Sequence, residues 1–585
     1  MTYHHDGTPF FLKREGEHMR VFLEAPPEME GGWAVSYAYG DEQLLPLEKA
    51  PDGRWTGLVY IQKHQKTHYR FKVLERGKLW WFNQAGLSRS SPASGQDFSF
   101  TPVAPPVWVR ERVFYQIFPE RFKNGDPSIS VQEGEYFYEG RDVMAKSWDD
   151  LPGRHTGHQE FYGGDLEGIR QSIPYFQKLG VNALYLNPVF ESPSSHKYDT
   201  QDYLKIDPHF GTNAGFAALV EELHQNDIKI ILDGVFNHTG DRHPWMNKTG
   251  LYPEAGAYQN GPTRDFYTYT GPEPEDYLGW VGVKTLPKLD YANPQVRDAI
   301  YRSPDSVVRF WLKEPYQIDG WRLDVAPMIG MNGSDEGNKD ILKELYTAAR
   351  ETHPDAYIFG EHFYDAVQWL QGGTEDATMN YHSFTWPTWA FLGGLDHRGV
   401  PAHEDAEDWA EAILRNLWQL PFSFQLAQFN LLDSHDTQRF ATVCPDPERQ
   451  KIAAAMLLTF IGVPCIYYGD EIGMEGTYDP DCRRTMPWDH PERWEHPLYE
   501  WYRDLIRLRH QEKALQEGSF RIVLAQKDHL VYERRLGEER IQVVLTRHAP
   551  LEYTLSGHWT DLLSGEILES LHLPSAGVRI IKEKR

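Results

Sequence analysis

Two different spacings of apolar residues divide this chain. In the first hundred positions Trp33, Val35, Tyr37 and Tyr39 alternate with small or polar residues, and Tyr69, Phe71 and Val73 alternate with Arg70 and Lys72. A period of two puts alternate side chains on opposite faces of a sheet, so residues 1–106 are expected to form a small antiparallel β-sandwich. The proline-rich segment Thr101–Trp108 reads as a linker. Beyond it, short continuous apolar runs replace the alternation: Val113–Phe118, Asn182–Phe190, Ile228–Asn237, Ile318–Ala326, Ala356–Phe363, Ala377–Phe384, Leu426–Asp436 and Val463–Glu471. Strands buried on both faces look like this. Amphipathic helices fill the gaps, as in Asn213–Asn226, where Phe216, Leu219, Val220 and Leu223 follow i, i+3, i+4, i+7.

Eight such units predict a central (β/α)8 TIM barrel over residues 107–512, with an open doubly wound sheet as the second reading. The stretch from His238 to Tyr291 is too long for a plain loop and is rich in Gly, Pro, Tyr and Asp, so an inserted subdomain over the barrel mouth is expected at 239–292. From Phe520 the period of two returns (Phe520, Ile522, Leu524), which predicts a C-terminal β-sandwich within 513–585.

Composition narrows the function classes. A length of 585 residues exceeds one compact core, and 40% hydrophobic with 25% charged residues is ordinary globular composition. The formal charge of −26 repels phosphate backbones and anionic lipid, so no nucleic acid and no membrane is expected as partner. Aromatic residues reach 14%, which suits stacking on sugar rings. The three cysteines, Cys444, Cys465 and Cys482, have no CxxC spacing, which argues against disulfides or a zinc site. The N-terminus shows no apolar signal region, so a cytoplasmic protein is expected.

In a barrel, the C-terminal strand ends face the reaction site. The third run here ends Asp233-Gly-Val-Phe-Asn237-His238, the fourth carries Arg322-Leu-Asp324, the fifth ends Gly360-Glu361-His362 and the seventh ends Ser434-His435-Asp436. Each residue alone has a plain structural use, in an ion pair, a cap or a loop anchor. All of them at one rim do not. Arg322 stands two residues before Asp324 on the same strand face, where it is expected to keep that carboxylate ionised as a nucleophile needs. Glu361 follows an apolar run and is expected to hold a raised pKa, suited to a general acid. Two carboxyls about 5–5.5 Å apart, one ionised and one protonated, make a retaining glycosidase. Metal-dependent hydrolysis is the competing chemistry, but no HxH or HExxH pattern lies on these strands.

The clusters DGVFNH, GWRLDVA, GEHF and LLDSHD resemble, in order, the four signature regions of the α-amylase family of glycoside hydrolases. LPKLD (Leu286–Asp290) and GVPCIYYGDE (Gly462–Glu471) also fit, and the likeness spans Arg112 to about Arg509. The N-terminal sandwich, FYGGDL (Phe161–Leu166) and HKYDT (His196–Thr200) resemble the branch that contains neopullulanase, cyclomaltodextrinase and maltodextrin glucosidase, and LYLNPVFESPSSHKYDT and LLDSHDTQRF look closest to the last. The resemblance implies Asp324 as nucleophile, Glu361 as acid/base and Asp436 as transition-state stabiliser. It implies Arg322, His238 and His435 around the reacting sugar, Tyr198 as its stacking platform, and Asp233 and Asn237 as supports. The implied reaction is hydrolysis of α-1,4 links in short maltodextrins with release of glucose. The alternative is a cyclomaltodextrinase or neopullulanase that also transfers sugar, and a non-catalytic carbohydrate-binding scaffold is a remote third. The implied partners are maltooligosaccharides or cyclodextrins, and a second copy in a homodimer through the N-terminal domain.

Two features depart from the branch: Pro327-Met328 follow GWRLDVA where neopullulanases carry Asn-Glu, and Phe363 stands where they have Trp. Many relatives hold calcium near an NGDPSND-like loop. Here Asn124, Asp126 and Asp165 remain as candidate ligands, but Ile129 and Ser130 replace oxygen-rich positions. The expectation is that no cofactor is required, with structural calcium at these three residues as the competing reading.

Overall fold

Eight short parallel strands surround the centre of this computed structural model, which describes residues 3–38, 40–63 and 66–584. They are β1 (Phe114–Ile117), β2 (Ala183–Leu186), β3 (Lys229–Gly234), β4 (Gly320–Leu323), β5 (Tyr357–Gly360), β6 (Ala377–Thr378), β7 (Phe429–Leu431) and β8 (Val463–Tyr467). The hydrogen-bonded order is β6-β5-β4-β3-β2-β1-β8-β7. The ring closes where Met379 bridges Phe429 in parallel and the Asn380 N–H donates to the Phe429 carbonyl at 2.8 Å. Closure makes this the expected (β/α)8 barrel and excludes the open doubly wound sheet.

Alternation along each strand decides what fills the barrel. Phe114, Tyr185, Ile231, Tyr357, Phe359 and Phe429 point inward, with Phe359 and Phe429 stacked at 4.3 Å. Their neighbours Tyr115, Leu184, Ile230, Leu232, Trp321 and Ile358 point outward, under the helices. One such helix, Asn213–Gln225, is capped by Thr212, whose hydroxyl accepts from the Gly215 N–H at 3.0 Å. It buries Phe216, Leu219, Val220 and Leu223 on the stripe read from the sequence; burial of each is worth roughly 1.5–3 kcal/mol.

Every apolar run is longer than the strand it yields, and two fall shortest of their length. Ala377–Phe384 is extended only over Ala377–Thr378, and Tyr381–Gly393 coils into helical turns. After Met379 closes the ring no further ladder partner is on offer, and the chain turns outward to bury Phe384, Trp389 and Phe391. Leu426–Asp436 likewise contributes only Phe429–Leu431.

The N-terminal part is two facing antiparallel sheets of four and six strands around Val21, Leu23, Val59, Tyr69, Phe71 and Val73. Tyr39, part of the alternation read there, lies outside the described residues. Six antiparallel strands within Ser519–Lys584 form the C-terminal sheet. Arg535 bonds Glu24 at 2.7 Å between these two end domains, and Gln84 Nε2 donates to the Trp418 carbonyl at 2.8 Å, joining the N-terminal sheets to the barrel. The segment between β3 and the next helix folds through short turns, tied down by bridges His238–Lys288 and Tyr267–Leu289. Among the described residues no helix is long and apolar enough to cross a membrane.

Candidate active site

The inward alternation continues past the strand ends, and this carries the polar residues into one space. Asp233 follows Ile231 in phase on β3, Arg322 and Asp324 follow Gly320 on β4, and Glu361 follows Phe359 on β5. The Arg322 guanidinium is their centre. Its Nη1 donates to Asp324 Oδ1 at 2.8 Å and to Asp233 Oδ1 at 2.9 Å. Its Nη2 lies 3.1 Å from Glu361 Oε2. Arg322 is completely buried. The planar fork donates from Nη1 to Asp324 and Asp233 and sets Nη2 in ion-pair contact with Glu361 without a hydrogen bond, an arrangement that a lysine would not give.

Glu361 has a second anchor. The Val325 N–H donates to its Oε2 at 2.8 Å. Val325 reaches that position with φ 39° and ψ 44°, a left-handed backbone conformation costly for a β-branched side chain.

His435 forms the opposite corner. Its Nδ1 faces two amide donors, Gln116 Nε2 at 2.9 Å and Asn187 Nδ2 at 3.2 Å. Nδ1 must therefore accept, and the ring proton sits on Nε2, 2.6 Å from the Tyr198 hydroxyl and 3.1 Å from Asp436 Oδ2. The Tyr198 hydroxyl donates to Asp233 Oδ2 at 3.0 Å, and Tyr185 donates to the same oxygen at 2.7 Å. The Tyr198 ring lies parallel to the His435 ring, within 5°. Asp436 is the most open of the acids; Arg483 Nη2 donates to it at 3.1 Å. His238 packs nearby, with Nε2 donating to the Tyr198 carbonyl at 3.2 Å and Nδ1 accepting from Asn237 Nδ2 at 3.2 Å. Asn237 Oδ1 is buried with no partner.

Charge in this space is unbalanced. Burial pushes Glu361 up to about 7, with Asp436 and Asp233 adding to it against the pull of Arg322 and the Val325 N–H. Burial also drives Asp324 well above the usual carboxylate range, opposed by Arg322 and reinforced by Glu361, Asp233 and Asp436. The simple expectation that Arg322 lowers Asp324 is thus corrected: one guanidinium shared among three buried carboxyls does not offset the desolvation of each. The set holds protons that isolated carboxyls would lose. Burial has the opposite effect on the imidazoles, lowering His238 to about 4 and His435 well below its usual value, so both are neutral. Above these groups opens a cavity of about 520 Å³, walled by Tyr198, Trp280, Met328, Phe363 and Tyr364 with Asp324, Glu361 and Asp436 at its base.

The profile described as "Alpha amylase, catalytic domain" matches residues 116–493. The chain belongs to this family. It is an enzyme that hydrolyses glycosidic bonds, in a family that works with retention at the anomeric carbon. It is 37% identical to neopullulanase 2 of Thermoactinomyces vulgaris, over 91% of this chain and 89% of that one. It is 34% identical to a cyclomaltodextrinase of Geobacillus thermopakistaniensis, over 95% and 90%. Among solved structures, the cyclic α-maltosyl-(1→6)-maltose hydrolase of Arthrobacter globiformis in complex with cyclic α-maltosyl-(1→6)-maltose aligns with a TM-score of 0.70 and 32% identity, over 82% of this chain and 100% of that one.

All nine candidate site residues, the supports Asp233 and Asn237 included, lie together at this barrel mouth. Sequence reasoning missed Gln116, Asn187, Tyr185 and Arg483. The first three carried a readable signal, a polar group at an inward position of a buried strand. Arg483 lies in a loop after β8 and carried none.

The three candidate metal ligands are engaged differently. Asp165 caps helix Leu166–Gln171 and accepts N–H groups from Gly125, Asp126 and Gly168 at 2.6–3.1 Å. Asp126 Oδ1 accepts from the Ser128 N–H and hydroxyl. Asn124 donates to Ser130 Oγ at 3.0 Å and leaves only Oδ1 buried and free. Calcium needs about six to eight oxygens. These residues do not assemble that set, and no cluster of three or more acidic, His or Cys side chains suited to a metal occurs among the described residues.

Proposed function

We propose that this enzyme hydrolyses α-1,4 links in short and cyclic maltodextrins, in the manner of a cyclomaltodextrinase or neopullulanase. The reading of a glucose-releasing maltodextrin glucosidase is set aside, because the similar enzymes carry cyclomaltodextrinase and neopullulanase names. One observation carries the mechanism: a single guanidinium touches both Asp324 and Glu361 at the base of a cavity with an aromatic wall. The shared arginine puts both carboxyls on one side of the cavity, and retention is the mode of the family to which the chain belongs.

Asp324 attacks the anomeric carbon as the carboxylate, the form that its Arg322 partner favours against burial, while the proton of the set rests on Glu361; the bond to the glycosidic oxygen breaks and the Glu361 proton goes to that departing oxygen. The glycosyl–Asp324 ester is then opened by water, whose proton returns to Glu361. Asp436, His435 Nε2–H and Arg483 face the sugar from the far side, where they hold its hydroxyls and the developing positive charge. Tyr198 supplies a flat platform. A sugar hydroxyl in place of water turns the second step into transfer. A product time course on maltotriose, β-cyclodextrin and pullulan tests the substrate class. Opening of the cyclodextrin ring to linear maltooligosaccharides is expected. An untouched ring with steady glucose release from linear chains would overturn it.

A further inference from the structure

Directly after Glu361 stands a buried histidine for which the reaction above has no use. His362 is 3% exposed and donates from Nε2 to both oxygens of Glu375, at 3.0 and 2.8 Å. Glu375 is fully buried. The pair is fitted against the end of β5: a Cβ on Gly360 would strike the Glu375 carboxyl and come within 2.7 Å of His362 Nε2, so any side chain there would displace the pair. On its other side the His362 ring packs on Trp369, with centroids 4.5 Å apart.

Trp369 extends the chain of contacts. Its Nε1 donates to Asn338 Oδ1 at 2.8 Å, and Asn338 Nδ2 donates to the carbonyls of Ala326 and Ile329 at 2.9 and 2.7 Å. Those carbonyls bracket the turn Ala326–Met328, whose preceding residue is the strained Val325. Such a conformation persists only where surrounding contacts over-determine it. Val325 is also the residue whose N–H grips Glu361 Oε2. The contacts therefore leave Glu361 through its own backbone and return to its carboxylate.

We propose that His362, Glu375, Trp369 and Asn338 form a positioning circuit that sets the Glu361 carboxyl against the Val325 N–H. None of the four lines the cavity above the acids; they act through Val325 and the backbone at 360–362. The inference rests on Glu361 being the acid/base. Loosening the circuit weakens a hydrogen bond that favours the charged carboxylate. The other groups facing Glu361 stay in place: Arg322 and Asp324 from β4, Asp233 from β3, Asp436 from the β7 side, and the un-ionised Tyr185 from β2 and Tyr381 after β6.

The test uses kcat/KM, which reports formation of the glycosyl ester, on maltotriose and on an α-maltotrioside of an acidic phenol. The phenol leaves without a proton, so only maltotriose depends on the carboxyl being aimed. In Asn338→Leu the maltotriose value is expected to fall about 30-fold and the aryl value by less than about threefold, with KM for maltotriose moving less than about twofold. The basic limb of the maltotriose pH profile is expected to move upward. Equal losses on both substrates, or a limb that stays put, would overturn the proposal. Removing His362 alone strands a buried carboxylate, so the double change His362→Leu with Glu375→Leu is the matching variant. It is expected to show the same split, while His362→Gln, which keeps a donor for Glu375, is expected to restore most of the maltotriose rate. Glu361→Gln is run beside them. If it fails to discriminate between the substrates, the acid/base assignment falls; if it discriminates and Asn338→Leu does not, the positioning circuit falls alone.

Discussion

Asp165 and the Asp233–Asp324–Glu361 group are buried carboxyls of one protein, and burial pushes every one of them upward. Their partners separate them. Asp165 alone receives three backbone N–H groups, and the loop at 124–126 wraps around it. At the barrel mouth three carboxyls share one arginine and open onto a cavity. A carboxylate saturated by amides is a structural fastener. A set with fewer donors than its charge needs is held in readiness for a ligand that brings positive charge or takes a proton, as an oxocarbenium-like sugar and a departing oxygen do.

The largest effect that sharpens this contrast is expected from Asp324→Asn. The amide keeps the shape and still faces Arg322, but it cannot form the ester. Activity on maltotriose is expected to fall by at least about 10⁴-fold with the fold unchanged by circular dichroism. Turnover near the wild-type rate would mean that the undersupplied corner is not the chemical one.

Glu361→Gln comes next and works in two directions. Loss of the proton donor is expected to lower kcat/KM on maltotriose by about 10²–10⁴-fold, and added azide is expected to restore turnover of an activated aryl glycoside. Stability should move the other way. The Glu361 carboxyl is raised from 4.5 to about 7 on folding, so between those values the folded state holds a proton that the unfolded chain has released. Its contribution is present at low pH and is lost as pH rises through that window. Glutamine has no charge to bury, so the variant is expected to melt above wild type at pH 8, by an amount on the order of 1–3 kcal/mol, and level with it at pH 4. The same group is expected to set the basic limb of the wild-type kcat/KM profile near pH 7. Melting temperatures that stay equal at pH 8 would remove the claim that the site stores desolvated charge.

Much of this corner was legible in the chain because strand periodicity writes it out. Arg322 and Asp324 are two apart on a buried strand, and Asp233 and Glu361 keep the inward phase of Ile231 and Phe359. A barrel then brings those phases together without further information. The Val325 kink, the Gln116 and Asn187 contacts to His435, and Arg483 reaching in from the loop after β8 are tertiary: each depends on which loop lies beside which, and no period encodes that. Strand length failed for a related reason. Ala377–Phe384 has the composition of a strand throughout, but the ring closes at Met379 and leaves the rest nothing to pair with. The Asn124–Asp165 loop shows the converse: its residues were read correctly as oxygen-bearing, while the direction in which those oxygens point is set by the turn at Gly125 and the cap of the following helix.

A smaller effect is expected at the His435 corner. Gln116→Leu removes one of the two donors that hold Nδ1 as acceptor and leaves Asn187 in place. One neutral hydrogen bond is worth about 1 kcal/mol, so kcat/KM on maltotriose is expected to drop about 5–10-fold. If the loss instead matched that of Asp324→Asn, His435 would need a role in the chemistry beyond holding the sugar.

The smallest effect is expected from the metal. Asp165→Ala removes a helix cap and two further amide contacts, and is expected to cost about 1–3 kcal/mol of stability while leaving the pH dependence of kcat/KM unchanged. Calcium is expected to do still less. Both Asp165 oxygens already accept backbone N–H groups, and Asp126 Oδ1 is taken by Ser128, so an ion would have to displace donors that are covalently part of the loop. Any residual affinity stabilises the folded protein only by RT ln(1 + [L]/Kd), which is small until calcium greatly exceeds its Kd. Dialysis against EDTA, followed by activity and melting measurements with and without about 1 mM calcium, is therefore expected to show unchanged turnover and a shift of no more than about 1 °C. Lost activity that calcium restores would mean that the loop rearranges to free its carboxylates, and the division between fastener and reactive corner would have to be redrawn.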